Sequence, residues 1–347
     1  MSKQNKKLDL IYYCSDLKTH LLANSHLISE LIARGHNVKT VISSHSAKTD
    51  NITKNFPEKS IVLAERLSTK VEGCLSILLL HGISLYKINY NRKTKDKYDR
   101  ILVPTKPWIE ERNKKLDDEK ENFHYSDHYS DGWNKLDCYY DYIQRKQSVK
   151  DYIYKKYKFD KSKKLIVYAP TFSRTGSESL KKWKEQGLDP NSYQNHGTGH
   201  LKDKVCSIAK QYANIYSIIH PCNYRNDETE DRMKIMAVAD MFIGDISSMT
   251  LEFSVMDKPM ILLKKEEENR IPGDFNIFHD TQKELLDFGP TVDLKNLAAT
   301  IKSSFVNDSY RDRRNELKDK YTGIFDGNCA KREADTIEKI CAEWEKG

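Results

Sequence analysis

The sequence predicts an α/β protein made of two Rossmann-like, doubly wound domains facing a cleft. The chain opens on a strand–helix–strand run, a second alternation of the same kind starts near residue 165, and 347 residues exceed what one hydrophobic core usually holds.

Leu8 to Cys14 is an apolar strand. After a polar turn, His20 to Ala33 carries Leu21, Leu22, Leu27, Ile28, Leu31 and Ile32 at helical spacing. Arg34-Gly35-His36 closes that helix, with glycine suited to the left-handed residue just past a helix end, and Val38 to Ile42 follows as a second strand. Two strands joined through a helix pair in parallel, and a parallel sheet presents ligand-handling groups at its strand C-termini. Ser60–Ala64, Leu75–Leu80 and Arg100–Val103 read as further strands, and Glu110 to Glu121, nearly all charge and amide, as an exposed helix or loop.

Ser148 to Tyr157 has helical spacing, and Asp160 to Lys164 is a charged break before the strand Leu165–Tyr168. The alternation then repeats: helix 201–213, strand Tyr216–Ile219, helix 231–239, strand Met241–Ile243, helix 248–256, strand Met260–Leu263. From Asp312 onward the pattern is helical and charged. The expected organisation is a first domain over 1–147, a second over 148–310, and a long C-terminal helix in 311–347 crossing back to the first.

Composition narrows the class. Hydrophobic residues at 38% and charged residues at 31% are globular values. The largely apolar run Leu75 to Leu80 is far short of the roughly 20 residues that span a bilayer, and the opening Met-Ser-Lys-Gln-Asn-Lys-Lys carries no apolar leader, so a cytoplasmic, non-spanning chain is expected. Seven cysteines, never in a Cys-x-x-Cys pair, point to reduced thiols rather than a disulfide framework or zinc ribbon. A net charge of +7 favours anionic substrates or the anionic inner membrane leaflet, whereas no aromatic-interleaved basic module suggests a nucleic-acid partner.

Chemistry gathers at strand ends. His81 leaves the apolar strand Leu78-Leu79-Leu80 and meets Gly82, which frees the backbone to turn; its imidazole can take a proton from an attacking hydroxyl, or simply cap the strand. His220 ends Tyr216-Ser217-Ile218-Ile219 before Pro221, and suits a donor to phosphate oxygens better than a second base; an ordinary turn histidine is the alternative. Gly244-Asp245-Ile246-Ser247-Ser248 turns from a strand into a helix whose free N–H groups and positive end make an anion site. Ser247 and Ser248 suit a diphosphate there, or one of them is an N-cap, and the two uses are compatible. Glu252, one turn on, either accepts from ribose hydroxyls or answers the helix dipole. Thr171, Ser173 and Arg174 follow the strand Leu165–Tyr168 as a polar set at the cleft floor. His124, Asp127, His128 and Asp131 lack strand context, and no metal site is expected among them.

Taken together, His81-Gly82, Tyr168-Ala169-Pro170-Thr171, His220-Pro221 and Asp245-Ile246-Ser247-Ser248 resemble, in order and rough spacing, the motifs of the CDP-glycerol glycerophosphotransferase family of teichoic acid and capsule synthesis. Gly132-Trp133-Asn134-Lys135-Leu136-Asp137 resembles the Gly-x-Pro-x-x-Asp stretch that usually precedes that family's second domain, with asparagine in place of proline. Ile246 stands where an aromatic is common and Glu252 replaces an aspartate.

The resemblance implies a GT-B fold with the acceptor handled by the first domain and a nucleotide donor by the second. It implies attack of an acceptor hydroxyl on the glycerol-bearing phosphorus of CDP-glycerol or a related CDP-polyol, with CMP leaving, His81 as base, and His220, Ser247 and Ser248 holding the diphosphate. The acceptor class is a polyol phosphate, glycan or glycolipid, the location is the cytoplasm with room for contact at the inner membrane face, and no cofactor is demanded, a divalent cation on the diphosphate staying open. The rival readings are a GT-B nucleotide-sugar glycosyltransferase, a sugar-nucleotide epimerase, and a non-catalytic nucleotide-binding adaptor. An epimerase is expected to carry extra strand-end carboxylates, of which only Asp16 and Asp245 stand out.

Overall fold

The computed structural model describes residues 7–15, 18–43, 55–65, 67, 69–80, 97–110, 113, 128–170, 198–218, 229–245, 247–264, 284 and 286–346. The chain divides into two compact units, Met1–Asp141 together with Lys320–Gly347, and Tyr142–Asp319.

The first unit is a five-stranded, all-parallel sheet of β1 (Asp9–Ser15), β2 (Asn37–Ser43), β3 (Ile61–Ala64), β4 (Leu75–Leu79) and β5 (Arg100–Leu102), ordered β2-β1-β3-β4-β5. Every residue of β3 and β4 is buried, as expected of inner strands covered on both faces, whereas the edge strand β2 is mostly open. Helices α1 (Lys18–Ala23) and α2 (Ser25–Ala33) connect β1 to β2. Gly35 ends α2 at φ +90°, the left-handed stop read from the sequence.

The C-terminal stretch is not one long helix but two, α9 (Arg311–Thr322) and α10 (Cys329–Trp344). The chain turns between them at Gly323, which sits at φ +75°, where a Cβ would lie 2.6 Å from the Asp131 carbonyl carbon; only glycine satisfies both demands. Ala330, Ala334, Ile337, Ile340 and Cys341 form the apolar stripe of α10 and share one core with Leu27 and Leu31 of α2 and with β1, β3 and β4. Arg34 reinforces that packing by donating to Asp335 Oδ1 at 2.6 Å and the Lys331 carbonyl at 2.9 Å.

The second unit repeats the scheme with β6 (Leu165–Ala169), β7 (Asn214–Ser217), β8 (Met241–Gly244), β9 (Met260–Leu263) and β10 (Thr291–Val292), ordered β10-β9-β8-β6-β7 and again parallel throughout. Helices α3 (Lys135–Gln144) and α4 (Lys146–Lys156) precede β6, and α5 (Lys202–Ala209), α6 (Thr229–Val238), α7 (Ser248–Ser254) and α8 (Leu294–Val306) follow it. β7 starts and ends two residues before the strand read from the sequence. Its first residue, Asn214, is drawn into the ladder because its side chain accepts from Asp160 N at 3.1 Å and donates to Asp160 O at 2.8 Å. β10 was not anticipated, since two residues carry no readable periodicity. Among the described residues no helix is long and apolar enough to cross a membrane.

Candidate functional site

In each unit the second strand lies on one side of the first and the third strand on the other, so the connections diverge between β1 and β3 and between β6 and β8. Open α/β sheets admit ligands at the carboxyl ends of the strands flanking such a point.

In the second unit Ala169 is level with Gly244, and Pro170 and Asp245 therefore emerge side by side. Gly244 has no room for a side chain: a Cβ would lie 2.4 Å from the Phe242 ring and 3.2 Å from the Ala169 carbonyl oxygen. Asp245 is used locally, its Oδ2 accepting from Thr198 N at 2.8 Å and from Thr198 Oγ1 at 3.0 Å, while Tyr168 donates its hydroxyl to the Thr198 carbonyl. Burial, and then the charge of Asp245, push the Tyr168 phenol far above its ordinary range, so it stays a donor. Asp245 is thus bound up in positioning Thr198 rather than presented as a bare carboxylate.

Ser247 caps α7 by accepting from Met249 N at 3.4 Å, a long bond that engages the hydroxyl only weakly. Ser248 is half-buried, whereas Ser247 is 6% exposed and Glu252 3%. Thr250 donates to the Asp245 carbonyl at 2.6 Å, which holds the turn into α7. His220, Thr171, Ser173 and Arg174 lie outside the described residues.

In the first unit His81 and Gly82 also lie outside the described residues, but the residue before them does not. The Leu80 carbonyl accepts from Trp133 Nε1 at 2.9 Å, and both residues are buried. Glu65 follows the end of β3, beside the β4 end, and is 5% exposed. It is a strand-end carboxylate that sequence reasoning missed, although its place directly after Ile61–Ala64 was a readable signal. Its Oε1 accepts from Tyr12 Oη at 2.8 Å and from Asn24 Nδ2 at 2.6 Å. Asn134 continues the chain of polar contacts, donating from Nδ2 to Asn24 Oδ1 at 3.0 Å and to Glu333 Oε2 at 2.6 Å. Burial raises the Glu333 carboxyl to about 8, against the opposing pull of the Asn134 donors.

The stretch Gly132 to Asp137 is therefore a clasp. Asn134 N donates to Glu333 Oε1 at 2.9 Å, a bond that the proline expected there could not make. Asp137 accepts from Cys329 N at 3.1 Å and from Ala330 N at 2.8 Å and so caps α10. Of the four residues considered for a metal, His124 and Asp127 lie outside the described residues. His128 pairs with Glu343 at 3.2 Å, and the Asp131 carbonyl accepts from Ile324 N.

A family model described as CDP-Glycerol:Poly(glycerophosphate) glycerophosphotransferase matches residues 63–339, from within β3 to within α10. The chain belongs to that glycerophosphotransferase family. The family region takes in the candidate site residues read from the sequence, from His81 through Thr171, His220 and Asp245 to Glu252. Over 146 residues the chain is 28% identical to the teichoic acid poly(ribitol-phosphate) polymerase of Bacillus spizizenii, a stretch that covers 40% of this chain and 23% of that protein. The chain thus matches less than a quarter of that relative's length.

Solved structures of the wall teichoic acid polymerase TagF are similar in fold, one at a TM-score of 0.64 with 14% identity over 100% of this chain and 92% of that one. The UDP-GlcNAc 2-epimerase of Neisseria meningitidis bound to UDP-GlcNAc is similar at 0.52 with 12% identity, over 96% of this chain and 100% of that one. Both likenesses agree with the GT-B fold class read from the sequence, two parallel α/β sheets in one chain.

Proposed function

We propose that this protein moves a glycerol phosphate, or a related polyol phosphate, from a CDP-activated donor to an acceptor hydroxyl, releasing CMP, in the synthesis of a cell-surface polymer of teichoic acid or capsule type. The single observation that carries the reading is the family match over 63–339, which spans all four strand-end motifs in order. TagF, one of the structures similar in fold, has itself been solved after a soak with CDPG.

In this reading the first unit handles the acceptor and the second the nucleotide. His81 takes the proton of the acceptor hydroxyl as the new P–O bond forms and the bond to CMP breaks. Gly82 lets the backbone turn so that the imidazole leaves the strand. His220 and Arg174, with Thr171 and Ser173, meet the charge that develops on the donor's diphosphate as CMP departs. Ser247 and Ser248 hold its oxygens at the start of α7, and Glu252 accepts from the ribose. Asp245 acts through Thr198, as a positioning residue. A divalent cation on the diphosphate is compatible with this chemistry, and chelation with EDTA during turnover tests it. The work is placed on the cytoplasmic side, where the +7 chain would meet the anionic inner leaflet.

The rival within the same fold is a sugar-nucleotide enzyme, favoured by the epimerase likeness and by the unanticipated Glu65. Against it, Glu65 Oε1 is already engaged by Tyr12 and Asn24. The roles are tested by His81→Ala, expected to abolish transfer while donor binding is largely kept, and by His220→Ala, expected to weaken donor binding as well. Turnover like the wild type in His81→Ala removes that histidine from the mechanism.

A further inference from the structure

Three side chains outside the transferase site form a relay at the surface of the first unit. Cys138, in the first turns of α3, places Sγ 3.2 Å from Nδ1 of His26 on α2, and His26 places Nε2 2.9 Å from Oδ2 of Asp141, one turn further along α3. Sulfur is also 3.6 Å from the Leu22 carbonyl and 3.9 Å from Ser25 Oγ, both longer contacts.

Asp141 can only accept, so it fixes Nε2 as a donor and turns Nδ1 toward the thiol. That is the order of groups by which an imidazole takes a proton from a nucleophile while a carboxylate holds the ring and steadies its charge. We infer that Cys138 is a built-in reactive thiol, a site of covalent modification by small electrophiles such as hydroperoxides.

The balance of the step is simple. The thiol proton passes to Nδ1 of His26, and the thiolate sulfur attacks one oxygen of the hydroperoxide. An S–O bond forms, the O–O bond breaks, and the leaving oxygen takes the imidazolium proton. Sulfur is oxidised by two electrons to a sulfenic acid and the peroxide is reduced.

Access supports a small reagent. Cys138 is 6% exposed, but the side chains beside it open outward, His26 at 33% and Asp141 at 53%. The imidazole is held up to about 9, chiefly by its bond to Cys138 and then by Asp141, with burial opposing. Those are the charged partners that act on it; Leu22 and Ser25, on the facing helices, are neutral. Cys14, Cys74, Cys329 and Cys341, by contrast, are pushed upward by burial and stay protonated.

The test uses the whole chain and needs no knowledge of its transferase activity. A brief pulse of iodoacetamide between pH 6 and 9, followed by peptide mass mapping, reads the rate at each of the seven cysteines. Cys138 is expected to react at least about tenfold faster than any other thiol at pH 7. A dimedone trap after hydrogen peroxide should mark the same peptide. In His26→Asn the rate at pH 7 should fall about tenfold, and its dependence on pH should change. Asp141→Asn, at an exposed position that leaves the core untouched, should give a smaller fall in the same direction. Labelling of Cys138 no faster than Cys74 or Cys206 in the wild type, or an unchanged pH profile in Asp141→Asn, overturns the inference.

Discussion

Trp133 Nε1 donates to the Leu80 carbonyl at 2.9 Å, across 53 residues, and so fixes the backbone one residue before the histidine assigned as base. A buried carbonyl at the mouth of a sheet needs a partner, and the indole supplies one from a segment that also clasps α10.

Trp133→Phe keeps an aromatic ring but removes that donor together with the indole's second ring. The stranded carbonyl should cost about 1–3 kcal/mol of stability. If His81 is the base, turnover should also drop about tenfold with donor affinity unchanged, because donor binding is assigned to the other unit. Thermal unfolding and steady-state kinetics on one preparation separate the two effects.

Glu333 makes stability depend on pH. Its carboxyl stands at about 8 in the folded chain, against 4.5 for an ordinary glutamate. Below 4.5 both states are protonated and this residue adds no slope. As pH rises from there, the unfolded chain ionises first, so stability is lost progressively and the loss is complete above 8. The total should be on the order of a few kcal/mol. Urea unfolding at pH 5, 7 and 9 should show the decline in wild type and a flatter profile in Glu333→Gln.

Asp137→Ala removes the acceptor for Cys329 N and Ala330 N. The loss should be about 1–2 kcal/mol, as for other helix caps, and amide exchange should quicken over the first turn of α10. Nucleotide affinity should not move.

The two serines at α7 have separable roles. Ser248→Ala should weaken CDP binding about tenfold with little change in melting temperature, since Ser248 is not the cap. Ser247→Ala should lower both, the cap being worth about 1 kcal/mol.

How much was readable follows from how local each signal is. The strands read as ending at Leu80, Tyr168 and Ile243 end at Leu79, Ala169 and Gly244, each within one residue, and the stop at Gly35 and a cap at Ser247 or Ser248 were likewise legible, because each lies within one or two turns of the residues that produce it. The network through Glu65, Asn24, Asn134 and Glu333 joins groups up to 199 residues apart, and no local pattern marks such partners. Asp137 was legible only as the end of the Gly-Trp-Asn-Lys-Leu-Asp stretch, and it caps a helix that starts 192 residues later. The break between α9 and α10 was signalled by Gly323 and passed over, because the charged helical pattern on either side dominated. At Gly244 the glycine was read as a feature of an anion-binding turn; the Phe242 ring and the Ala169 carbonyl already demand it.

Calorimetric titration of the purified protein with CDP-glycerol, CDP-ribitol, CDP, UDP-N-acetylglucosamine and UDP tests the proposed cytidine diphosphate donor without knowledge of the acceptor. The cytidine ligands are expected to bind more tightly than the uridine ones. A preference for UDP-N-acetylglucosamine or UDP would contradict that proposal and assign the fold to sugar-nucleotide chemistry.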